Sequence, residues 1–226
     1  MTVDHAPTSA ARAISPLSSY ADRLAGVEAA SGGVLTLMEV PFVTMLTARS
    51  DVNTSDPGVS DTELLAWLGV DASPATGHVA RSDGRPDVQV LGLGPDEWLV
   101  LGPSRCADDL IARSLSVAGC SVVDVSAART TVRIGGPAAR DLLAHGCALD
   151  LDPRVFGPGS STGRECAQTM LARANVVLLA SPPPGDAARD DAITVLVRSS
   201  FAAYLADWLL DVAVEPTTER RANPAG

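Results

Sequence analysis

Lysine is missing altogether from this 226-residue chain, in which all 17 basic residues are arginine. That excludes a Walker A phosphate loop, a Schiff-base lysine and a Ser–Lys dyad, each of which needs an amino group. Positive charge is in deficit overall. The formal net charge of −10 argues against nucleic acid and anionic membranes as partners, since both demand clustered cations. No apolar run approaches the roughly 20 residues of a membrane helix, and the opening MTVDHAPTSAARAISPLS lacks the apolar segment of a secretory signal. The chain therefore reads as cytoplasmic. Its cysteines are Cys106, Cys120, Cys147 and Cys166, with no C-x-x-C pair, and they read as reduced core thiols rather than disulfides or zinc ligands. Aromatic residues are also few, at three Trp, two Tyr and three Phe, so Leu, Val and Ala must fill the core.

What is present is apolar patterning, densest after residue 88. Residues 1–16 are polar and small, a flexible lead. Residues 17–87 form a loop-rich segment open to contact with a partner. It holds a short helix from Leu17 to Gly26, strands over 34–38 and 42–46 split by Pro41, a loop over 49–60, and a helix from Glu63 to Leu68 capped by Asp61 and carrying Trp67. Residues 88–213 form the patterned domain. A hairpin, 88–91 and 98–101, precedes a helix near 105–118 with Leu110, Ile111 and Leu115 at helical spacing. Strands over 122–125 and 130–134 lead to a helix opening at Gly136-Pro137 and closing near Gly146. A hairpin of 168–172 and 176–179, turning at Ala174-Asn175, and a strand over 193–197 follow. The last helix places Phe201, Tyr204, Leu205, Trp208, Leu209 and Val212 in one stripe, with Asp207 and Asp211 on its polar side. Residues 214–226 form a disordered tail. The order β-β-α-β-β-α-β-β-β-α predicts an α+β fold, an antiparallel sheet with helices on one face, built from split βαβ (ferredoxin-like) units.

Several local patterns invite a chemical reading. Gly92 and Gly94, after the apolar run 88–93, begin a dinucleotide fingerprint, but its third glycine falls on Glu97, with Asp96 beside it and a strand following. Two carboxylates where an anion should sit exclude a nucleotide. A hairpin turning at Gly94-Pro95-Asp96-Glu97 accounts for the same residues. Gly159-Ser160-Ser161-Thr162-Gly163 matches the nucleophile elbow, yet no histidine follows it and proline and glycine crowd its approach, so it reads as a flexible loop. The histidines, His5, His78 and His145, are scattered. His145 suits a helix C-terminus, and Cys147 beside it makes a weak candidate pair. Gly135-Gly136-Pro137 opens a helix whose N-terminus is a candidate anion site of low specificity. No set supplies nucleophile, base and electrophile together, so no catalytic, cofactor-binding or metal-ligating residue is assigned.

Four separated segments carry a family likeness: LGPDEWLV (93–100), VVDVSAARTTVRIGGPAARDLLAHGCALDL (122–151), CAQTMLA (166–172) and VLVRSSFAAYLADWLLD (195–211). Together they resemble the gamma subunit of heterotetrameric sarcosine oxidase over most of 88–213, with a looser match before it. The same region is similar to the folate-binding aminomethyltransferase (glycine cleavage T-protein) family through Asp124, Ser126, Gly136-Pro137 and Leu142-Leu143. The resemblance implies a non-catalytic structural subunit, joined to alpha, beta and delta subunits that oxidise sarcosine to glycine and hydrogen peroxide. In such a complex the methyl carbon passes to tetrahydrofolate as 5,10-methylenetetrahydrofolate, or leaves as formaldehyde. The resemblance places FAD, FMN and NAD in the alpha and beta subunits and zinc in delta, with no cofactor in this chain. Two alternatives are a stand-alone T-protein-like folate-binding domain and the matching subunit of a sibling enzyme for another N-methyl amino acid, such as N-methylglutamate.

Overall fold

Strands such as Trp98-Leu99-Val100-Leu101 have no polar face, and a strand of that kind must be covered on both sides. The computed structural model, which describes residues 13–50, 66–70, 73–82, 84–115, 120–181 and 192–214, shows how that is done. The first sheet has the spatial order β1 (Thr36–Glu39), β7 (Arg129–Gly135), β10 (Ile193–Arg198), β9 (Ala174–Leu179) and β8 (Cys166–Leu171). The second has the order β3 (Val79–Arg81), β4 (Gln89–Gly92), β5 (Glu97–Gly102), β2 (Thr44–Ser50) and β6 (Cys120–Asp124). Four α-helices are described: α1 (Ala21–Ser31), α2 (Ala107–Ser114), α3 (Ala139–Ala144) and α4 (Ala202–Val212).

The chain is α+β and its named strands pair antiparallel throughout. The strands are divided between two sheets, however, and the helices lie outside both. Alternate residues along one strand enter different cores. On β9, Val176 and Leu178 join the core under α1, α3 and α4, whereas Val177 and Leu179 join the layer between the sheets. On β5, Trp98 and Val100 pack with Leu110 of α2, whereas Leu99 and Leu101 face the first sheet. The result is four layers, helices–sheet–sheet–helix. The split unit expected from the element order is present in the second sheet, where β5, α2 and β6 flank β2.

The segment 17–87 is not peripheral. It supplies α1 over the first sheet and strands to both sheets, with β2 in the interior of the second, so residue 88 does not mark an edge of the folded unit. The strand break at Pro41 is the crossover from one sheet to the other. Helix α1 continues past Gly26 and stops at Gly32, whose N–H bonds the carbonyl of Ala29. A lone glycine inside a helix costs only about 1 kcal/mol, which Leu24 and Val27, packed on either side of it, readily offset. The hairpin expected to turn at Ala174-Asn175 turns earlier, at Ala172-Arg173, with Leu171 opposite Ala174 and Ala172 at φ +52°. The cap at Asp61, His5, and most of the lead, the 49–60 and 181–191 loops and the tail fall outside the described residues. Of the helix expected over 63–68, residues 66–68 form a 3-10 turn.

The stripe on the last helix is turned from its expected direction. Leu205 and Leu209 are fully buried, but so are Ala202 and Ala206, while Phe201 and Tyr204 stand 45% and 41% exposed. The helix lies close on the first sheet, and alanine fits that gap where an aromatic ring does not. Phe201 and Tyr204 meet edge to face at 6.5 Å on the outer side. Asp207 accepts from Tyr20 Oη at 3.0 Å and pairs with Arg23, tying α4 to α1. These groups are exposed, and such a pair contributes little.

Candidate functional site

Each pattern singled out in the sequence has a structural account. The turn 94–97 closes through Gly94 N–H to Glu97 O at 3.1 Å, and Arg49 binds Glu97 at 2.7 Å. Trp98 lies inward at 1% exposure, its indole N–H donating to Pro74 O at 3.2 Å. Gly92 is a glycine because the chain passes over it: a Cβ there would come within 2.2 Å of the Ala75 carbonyl oxygen. Gly92 thus serves the close approach of protein backbone, while Gly94 opens the turn, its N–H donating to Glu97 O.

The loop Gly159 to Gly163 has no strand leading in and no helix following. Ser161 Oγ donates to Arg154 O at 2.8 Å and Thr162 Oγ1 to Val155 O at 2.6 Å, so its hydroxyls brace the loop itself. His145 lies at the end of α3 with its Nδ1 2.9 Å from Asp141 O, while Cys147 is buried in the first core. At Gly136 the φ is +93° and a Cβ would lie 2.5 Å from Val34 O, while Ala138 N–H donates to that same carbonyl. The glycine pair there lets β1 run against the start of α3. Asp207 is used by α1, as above. Among the described residues no three His, Cys, Asp or Glu side chains gather as a metal site would require, and no helix is long and apolar enough to cross a membrane.

All four cysteines are free thiols, Cys147 and Cys166 buried and the other two half-buried. Burial pushes the Cys166 thiol up to about 12, with Glu165 adding to the shift, and burial also raises Cys120. The thiolate is the reactive form, so Cys166 should resist iodoacetamide at pH 8 in the folded chain and label at an ordinary rate once denatured. Labelling of native Cys166 as fast as a free thiol would contradict this placement. By the same shift the folded chain keeps its proton when the unfolded chain loses it. Cys166 therefore subtracts stability as pH rises from the ordinary thiol range toward 12.

One feature has no local signature in the sequence. The face of the first sheet that is turned toward the second opens at one end into a cleft of about 370 Å3, lined by Arg129, Arg198, Gln168, Met170 and Asn175 among others. Leu196 and Val177 belong to the layer between the sheets, so Arg198 and Asn175, each two residues along, share that face. Arg198 is directly opposite Arg129 in the register, and Met170 opposite Asn175. The four make a row across β7, β10, β9 and β8. Like charges placed directly opposite destabilise a sheet. Burial, then the Arg198 charge, lowers Arg129 from its ordinary value, with Glu97 acting weakly the other way. Glu97 is itself held by Arg49. Arg23, Arg49, Arg81, Arg85, Arg113 and Arg154 all have carboxylate partners. Among the described residues Arg129 and Arg198 have none. Nothing in the sequence placed them together, since strand register is not a local property.

The model of the sarcosine oxidase, gamma subunit family matches residues 52–215. The chain belongs to that family. The sarcosine oxidase subunit gamma of an Arthrobacter species is 31% identical over 204 residues, 89% of this chain and 90% of the relative. That of Corynebacterium sp. strain U-96 is 32% identical over 203 residues, again 89% and 90%. The likeness expected for 88–213 thus extends through the N-terminal third. Among solved structures, the heterotetrameric sarcosine oxidase from Corynebacterium sp. U-96, in complex with pyrrole 2-carboxylate, superposes with TM-score 0.71 at 30% identity, covering 91% of this chain and 96% of that one. The glycine cleavage aminomethyltransferase T of Bartonella henselae gives TM-score 0.57 at 13% identity, covering 83% of this chain and 48% of the other. At that identity the second likeness concerns fold alone.

Proposed function

We propose that this chain is the non-catalytic gamma subunit of a heterotetrameric sarcosine oxidase, assembled with alpha, beta and delta subunits. The observation that carries this reading is the match to a chain of such an oxidase, which covers 91% of this chain and 96% of that one. The complex oxidises sarcosine with dioxygen and water to glycine, hydrogen peroxide and formaldehyde, or passes the methyl carbon to tetrahydrofolate. FAD, FMN, NAD and zinc reside in the partner subunits, and this chain binds none of them. Its work is to present rigid surface. Met38 and Phe42, flanking the crossover between the sheets, are 45% and 47% exposed and offer apolar contact to a partner.

The test is to express the chain alone and together with the other three subunits. Co-purification in a peroxide-producing complex is the expected result, with a colourless and inert chain when expressed alone. Tight tetrahydrofolate binding by the lone chain, with no association, would favour the stand-alone folate domain instead.

A further inference from the structure

We propose that the cleft at Arg129 and Arg198 is a docking site for an acidic segment of a partner subunit, whose carboxylate takes up the two guanidinia together. The inference rests on the subunit reading above. A chain of net charge −10 has carboxylates to spare, and it uses them on the arginines named above. Yet it leaves two arginines face to face across β7 and β10, one of them partly buried, with no carboxylate in ion-pair reach among the described residues. In the isolated chain that arrangement is repulsive. A planar fork of donors on each side suits a carboxylate entering between them.

The surroundings favour a protein over a small anion. Met170, 53% exposed, sits in the same row, with the amides of Gln168 and Asn175 beside it. Apolar surface next to amide donors and acceptors matches a peptide segment, and a small carboxylate would leave it bare. Methionine and arginine are among the residue types enriched where protein surfaces meet.

Arg198→Gln, and separately Arg129→Glu with Arg198→Glu, would be co-expressed with the alpha, beta and delta subunits and compared with the unaltered chain. Truncating one side of a desolvated charge pair weakens association about 30-fold or more, so Arg198→Gln should lose assembly by that factor, and the double reversal should abolish it. Arg198→Gln alone should leave the unfolding temperature of the free subunit unchanged or raised, because a repulsion is removed. Wild-type affinity in Arg198→Gln would overturn the proposal. So would a lowered unfolding temperature, which would make the pair an internal structural element. An arginine-dependent rise in the free subunit's unfolding temperature with millimolar succinate, with assembly unaffected, would assign the cleft to a small carboxylate instead. If the unaltered chain does not assemble, the subunit reading fails and takes this proposal with it.

Discussion

Trp98→Ala is expected to cost about 3–5 kcal/mol in denaturant unfolding. The indole is 1% exposed and packs with Leu46, Val90, Val100 and Leu110 in the core beneath α2. Its removal leaves a cavity that rigid strands on either side cannot close. It also takes the N–H donor from the Pro74 carbonyl, 3.2 Å away. That contact matters because the 74–75 backbone crosses Gly92 so closely that no Cβ fits beneath it. The tryptophan and the glycine are partners in one device: Gly92 admits the crossing segment and Trp98, opposite it in the register, holds it down. Trp98→Phe separates the two contributions, since it keeps most of the bulk and loses the hydrogen bond, worth about 1 kcal/mol. A loss under about 1 kcal/mol for Trp98→Ala would mean that the indole is not packed as described.

The local patterns were legible because their causes are local. The turn at Gly94-Pro95-Asp96-Glu97, the strands on each side of it and the last helix all follow from turn chemistry and apolar period. What was not legible depends on which surfaces come together. A strand apolar on both faces announces burial but not whether the second cover is a helix or another sheet, so two sheets were read as one. The stripe on α4 was read from its large residues, whereas the face it buries is set by how close the helix lies, which selects Ala202 and Ala206. The short strands near Pro41 read as part of a loop-rich segment open to a partner, because nothing in residues 42–46 says that β2 runs between β5 and β6. The pairing of Arg129 with Arg198 is of the same kind. The loop Gly159 to Gly163 matches a chemistry-bearing pattern, but no strand leads into it and no helix follows to aim its side chains.

A chain beginning at residue 88 is expected not to fold cooperatively. The cut removes β2, which pairs with β5 over Thr44–Arg49 and with β6 over Leu46–Ser50. Without it, β6 has no partner and β5 acquires a long apolar edge of the sort that aggregates. The first sheet fares no better. It loses β1 from the side of β7, and α1 from above its core. Among the side chains lost, Leu17, Leu24, Leu35, Leu37, Met45 and Leu46 are each at most 3% exposed. Fully burying one such side chain is worth about 1.5–3 kcal/mol, so together they match or exceed the roughly 5–15 kcal/mol by which a whole domain is held. Denaturant unfolding of the shortened chain should therefore show no sigmoidal transition. A cooperative transition would mean that residues 88–214 close a core without β2. Expressing residues 1–87 as a separate chain alongside should restore part of the transition, because what the shortened chain lacks is a strand in the middle of a sheet rather than a surface appendage.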